Sequence, residues 1–66
     1  MEWTVQRVKE ELPEVDVLLN GHVCHGKVLG RMNQFATVHF GNWLYFEWAW
    51  ETIASCLNRG VPLRAD

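Results

Sequence analysis

The sequence lacks any apolar run near the roughly 20 residues that span a bilayer, and it has only two cysteines, two prolines and no excess of positive charge in 66 residues. Each shortage removes a class of protein. Cys24 and Cys56 allow at most one disulfide, and no apolar leader-like region precedes them, so a reduced, cytoplasmic protein is expected rather than a disulfide-built secreted scaffold. A net charge of -2 is not the basic signature of a nucleic-acid or anionic-membrane binder. Pro, Gly and Ser do not cluster, and 48% of the residues are hydrophobic, which argues against disorder. There is no internal repeat and no low-complexity segment.

What is present is aromatic. The stretch from Phe35 to Asn58 holds three of the four Trp and the only Tyr. A chain this short makes one domain with one thin core, because it buries only about 60% of the surface its unfolded form exposes. Small scaffolds of this kind lean on disulfides, a metal or a partner subunit, and of these a homo-oligomer, dimeric or larger, best suits the composition.

The first element is a short helix. Thr4 is placed to cap it through its side-chain oxygen, with Trp3 and Val8 at the spacing of a hydrophobic staple. Val5, Val8 and Leu12 form its apolar stripe, and Pro13 ends it at or before Leu12. Two strands, Val15 to Leu19 and His22 to about Arg31, then flank Asn20-Gly21, the dipeptide best suited to a type I′ turn. A two-residue turn pairs Leu19 with His22, Leu18 with Val23, Val17 with Cys24 and Asp16 with His25. Gly26 and Gly30 in the second strand suggest bulges or sharp bends. Residues 31–34 form the loop to a second hairpin.

That hairpin joins Phe35–Phe40 to a strand starting at Trp43 or Leu44 and ending at Trp48. A three-residue loop sorts the side chains best, grouping Ala36, Val38, Phe40, Leu44, Phe46 and Trp48 inside and Phe35, Thr37, His39, Trp43, Tyr45 and Glu47 outside. A second helix follows from Ala49 or Trp50 to Asn58, its stripe being Trp50, Ile53, Ala54 and Leu57, with Gly60 as left-handed cap and Pro62 beyond. Residues 61–64 return as a short edge strand. The order helix, hairpin, hairpin, helix predicts an α+β fold with a strongly bent four- to five-stranded antiparallel sheet.

The segments GRMNQFATVHF and FEWAWETIASCLNRGVPLR together resemble a pattern found in small proteins of bacterial mobile elements, including integron gene cassettes and phages, and the layout is similar to compact SH3-like barrels. The resemblance covers roughly the C-terminal half and implies a bacterial cytoplasmic setting. It carries over no functional residue. One SH3-like family, the plasmid-borne type II dihydrofolate reductases, builds an active pore from small subunits, but no segment here matches its substrate-binding stretch.

The reactive side chains point to no catalytic set, metal or cofactor. Zinc needs about four converging N or S ligands, whereas on a regular strand His22 and Cys24 project to one face and His25 to the other. No Ser, Cys or Thr is tied by a motif to a base and an oxyanion hole. His25 opposite Asp16 is a cross-strand charge pair. The outer aromatics are the chemistry of a contact face, since such residues are enriched at interface centres. The expected site is therefore a binding face of Phe35, His39, Trp43 and Tyr45 edged by Arg31 and Gln34, on a non-enzymatic interaction module, for example a phage or mobile-element modulator of a host protein. Two alternatives use the same residues. Sheet aromatics stack on unpaired bases in single-strand binders, although Glu10, Glu11, Glu14 and Asp16 offset most basic groups. In an oligomeric ligand-binding or catalytic pore, they would enclose a small planar molecule between subunits.

Overall fold

The computed structural model describes residues 2–30, 34–40 and 44–65. Helix α1 (Val5–Glu11) is followed by strands β1 (Glu14–Leu19), β2 (His22–Leu29), β3 (Phe35–Phe40) and β4 (Leu44–Ala49), helix α2 (Trp50–Arg59) and the short strand β5 (Leu63–Arg64). The α+β class, with a helix before and after the two hairpins, is the one predicted.

Local chemistry sets the helix ends. Thr4 is extended and its Oγ1 accepts the Arg7 backbone N–H at 3.1 Å, satisfying one of the donors a helix start leaves open. Leu12 closes α1 in the left-handed region at φ 48, its N–H donating to the Val8 carbonyl; the following Pro13 disfavours a further helical residue there. The described polar contacts of Trp3 tie it across to α2. Its N–H donates to Asn58 Oδ1 at 2.6 Å and its carbonyl accepts from Asn58 Nδ2 at 2.8 Å, while the Arg7 guanidinium lies 3.8 Å from its ring centre. At the far end of α2, Gly60 takes φ 69 and its N–H donates to Cys56.

The first hairpin has the predicted register from Leu19↔His22 to Asp16↔His25. Its turn needs two left-handed residues, and Asn20 at φ 52 with Gly21 at φ 79 supplies them. The expected bulge at Gly26 is absent. Val15↔Gly26 and Gly26↔Phe40 pair in unbroken ladders. Glycine is required there by crowding, because a Cβ would stand 2.6 Å from Val38 Cγ1. Gly30 follows the end of β2, and a Cβ on it would lie 3.1 Å from Leu12 Cδ1, so its role is to admit the end of α1.

The second hairpin has the three-residue connection, pairing Phe40↔Leu44, Val38↔Phe46 and Ala36↔Trp48. The strand order is β4-β3-β2-β1-β5. One feature of the predicted sheet is corrected: it is mixed, because β5 runs parallel to β1 through Val17↔Leu63 and Leu18↔Arg64. Parallel neighbours need a crossover connection, and α2 provides it by carrying the chain from β4 at one edge to β1 near the other. The sheet curls into a half-barrel, and the indole N–H of Trp48 on β4 donates to the Arg64 carbonyl on β5 at 3.1 Å. A side chain thus bridges the two ends of the strand order.

Both helices pack on the inner face. Val8 of α1 and Trp50, Ile53 and Ala54 of α2 share one core with Val15, Val17, Val28, Ala36, Val38, Phe40 and Leu63. Burial departs from the predicted faces at four residues. Leu44, expected inside, is 42% exposed, since it starts the edge strand at the opposite end from the junction with α2. Phe46 and Trp48 are half-buried for the related reason that β4 has a neighbour on one side only. Thr37, expected outside, is 7% exposed: it is a short side chain on an internal strand, with the longer Leu29 and Glu47 opposite it on either flank.

Candidate functional site

The strand alternation places Phe35, Thr37 and His39 of β3 on the outer face with Tyr45 and Glu47 of β4. The ladders continue this face through Lys27 of β2, opposite His39, to Glu14 of β1, opposite Lys27. A transverse row Glu14, Lys27, His39, Tyr45 results, with Asp16 and His25 beside it. Because α1 and α2 occupy the inner side, the protein's own helices leave the His39–Tyr45 end of this face uncovered and border it only at Phe35.

The site residues separate into two ends. At one end the His39 and Tyr45 rings stack at 4.6 Å between centres and 23° between planes. Tyr45 remains 53% exposed, so the pair presents one broad aromatic surface. His39 Nε2 is buried and has no hydrogen-bond partner among the described residues. At the other end Phe35 is 49% exposed and borders an open groove of about 500 Å³ with Val5, Lys9, Ala49 and Trp50. The Lys9 ammonium sits 5.5 Å from the Trp50 ring centre, a cation–π arrangement at the rim. Thr37 lies between the two ends. Gln34 is exposed at the bend leading into β3. Arg31 and Trp43, the remaining members of the predicted face, lie outside the described residues.

The row carries no surplus of positive charge, since Lys27 stands with Glu14, Asp16 and Glu47. Asp16 Oδ1 and His25 Nδ1 are 3.0 Å apart on well-exposed side chains, the cross-strand pair predicted, and Glu14 stands opposite Lys27. Screening by water makes such exposed pairs worth less than about 1 kcal/mol. Their effect here is on partner choice, because phosphate binding requires a net surplus of cations that this row does not have.

Glu14, Lys27 and the Asp16–His25 pair belong to the same face as the aromatics, and the predicted site did not include them. The signal was the period of two carried from the first hairpin into the second. It becomes usable only when β2 is known to pair with β3 in the register Lys27↔His39. The other cluster of reactive groups does not assemble. His22 and His25 are exposed, Cys24 is half-buried, and both cysteines are free. Among the described residues no three His, Cys, Asp or Glu side chains are grouped to hold a metal ion, and no helix is long and apolar enough to cross a membrane.

No family model, curated protein or solved structure matches the chain.

Proposed function

We propose that this protein is a small non-enzymatic binding module that takes a protein partner on the outer face of its sheet, centred on the stacked His39–Tyr45 pair and reaching to Phe35. The observation that carries the reading is the exposure of Tyr45, at 53%, on the side of the sheet away from both helices, continued by Phe35, 49% exposed, at the end where the face meets the groove beside α1 and α2. Tyr is suited to such a centre because it offers a large rigid apolar ring with a hydroxyl that stays hydrogen-bonded. The pairs Glu14/Lys27 and Asp16/His25 form a polar rim of the kind that surrounds an interface core. They also favour a protein over a nucleic acid, since Glu47, Glu14 and Asp16 would face the phosphates. The partner is a host protein, as for a modulator carried by a mobile element.

The test is retention from a bacterial lysate on immobilised wild type, Tyr45→Ala and Ser55→Ala, the last an exposed position on α2. A protein retained by wild type and Ser55→Ala but lost with Tyr45→Ala is the expected result. Equal retention by all three, or retention abolished by nuclease, refutes the proposal.

A further inference from the structure

From the edges of the sheet we infer that β4 is a self-pairing seam. Two copies join β4 to β4 in antiparallel fashion about a two-fold axis at Phe46, extending the five-stranded sheet into one that spans both chains. This does not rest on the binding proposed above: the outer faces stay outward in such a dimer and become continuous with each other.

β4 is the last strand in the order and, among the described residues, its backbone pairs with β3 only. A strand edge carries a row of unpaired N–H and C=O groups that templates another strand, and proteins normally guard it with brevity, proline, lysine, bulges or charge. The chain guards its other end in this way. β5 is two residues long and directly follows Pro62, and the longer part of β1 that β5 leaves unpaired, Glu14–Asp16, follows Pro13 and carries two carboxylates, with Leu19 alone beyond the other end of β5. β4 has none of these devices beyond the single charge of Glu47. It is six residues long, contains neither proline nor lysine, and pairs with β3 without a bulge. The bridge from Trp48 to Arg64 uses the indole, so it does not occupy the backbone groups of β4.

The side-chain pattern identifies a second copy as the occupant. A two-fold axis normal to the sheet keeps the faces, so the axis must pass through a residue, with each side chain opposite another of the same face. An axis at Glu47 sets two carboxylates directly opposite each other, which is unfavourable. An axis at Phe46 sets Leu44 opposite Trp48, Tyr45 opposite Glu47 and Phe46 opposite itself. Each unlike pair then occurs twice, apolar on the inner side and polar on the outer side. Leu44, at 42% exposure, gains an apolar neighbour on its open side, opposite Phe40 of its own chain.

The register yields a test by charge. Wild type, Tyr45→Glu, Glu47→Lys and the double variant are compared by light scattering and sedimentation across concentration, with far-ultraviolet circular dichroism as the check on folding. Wild type is expected to approach twice the 7.7 kDa chain mass. Tyr45→Glu sets like charges opposite at two symmetric positions and should weaken the dimer about tenfold or more; adding Glu47→Lys sets opposite charges there and should restore it. A wild type monomeric up to millimolar concentration overturns the inference. So does a dimer that Tyr45→Glu and the double variant weaken equally, which would mean that the chains meet in another register or through their outer faces. Hydrogen exchange of the wild-type β4 amides needs no variant: protection that rises with concentration in residues 44–48 is expected, and protection that rises elsewhere but not in β4 also overturns it.

Discussion

The Gly26→Ala substitution probes the crowding at the centre of the sheet. The backbone at Gly26 does not lie in the left-handed region, so alanine is conformationally allowed, and in an open strand it would gain about 0.5–1 kcal/mol over glycine. Packing reverses the sign. The added methyl would stand 2.6 Å from Val38 Cγ1, where ordinary contact is 3.4–4 Å, and Val38 is fully buried with Val28 paired opposite. Val38 must rotate off its rotamer or β3 must move away from β2, and overpacking of this kind costs about 1–3 kcal/mol. The net expectation is a loss of about 1–2 kcal/mol, a large part of the few kcal/mol that a domain of this size has. Urea denaturation of wild type, Gly26→Ala, Val38→Ala and the double variant measures it. Trimming Val38 removes the clashing methyl, so the two substitutions should couple favourably by about 1 kcal/mol or more, within the range for residues in direct contact. A neutral Gly26→Ala, or costs that simply add in the double variant, would refute the account of why glycine stands there.

Two further predictions concern the links that hold the ends of the fold together. Asn58→Ala removes both hydrogen bonds to the backbone of Trp3 and should cost about 1–2 kcal/mol at typical net values per bond; faster amide exchange in α1 than in the β1–β2 hairpin would localise the loss. Trp48→Phe keeps a large apolar ring but deletes the donor to the Arg64 carbonyl, so a loss of about 1 kcal/mol is expected in thermal or urea unfolding, with increased exchange at Ala65, whose N–H bonds to Leu18 beside it. An unchanged exchange rate at Ala65 would show that the bridge does not hold β5 in place.

Elements governed by neighbouring residues were legible in the sequence. The Thr4 cap, the stop before Pro13, the Asn20-Gly21 turn with its register and the Gly60 cap all follow from the φ angles and hydrogen-bonding groups of a few consecutive residues. The second hairpin was legible for a different reason: only the three-residue loop sets Leu44, Phe46 and Trp48 opposite Phe40, Val38 and Ala36 on one apolar face. The outer location of Phe35, His39 and Tyr45 followed from the same alternation.

The tertiary structure decided what depends on residues far apart in the chain. Whether β5 ran parallel to β1 was set by the path of α2, which no local signal encodes. Gly26 has the local appearance of a bulge and serves to admit Val38, because the sheet brings β3 against that position. Exposure of Leu44 and burial of Thr37 invert what residue type and face predict, since one starts an edge strand and the other lies between longer neighbours. The same reasoning applies to the candidate face. Its aromatic members were fixed by the period of two, but the joining of Glu14, Lys27 and His25 to them, and the seating of both helices on the opposite side, came only from the pairing of strands and the packing of the core.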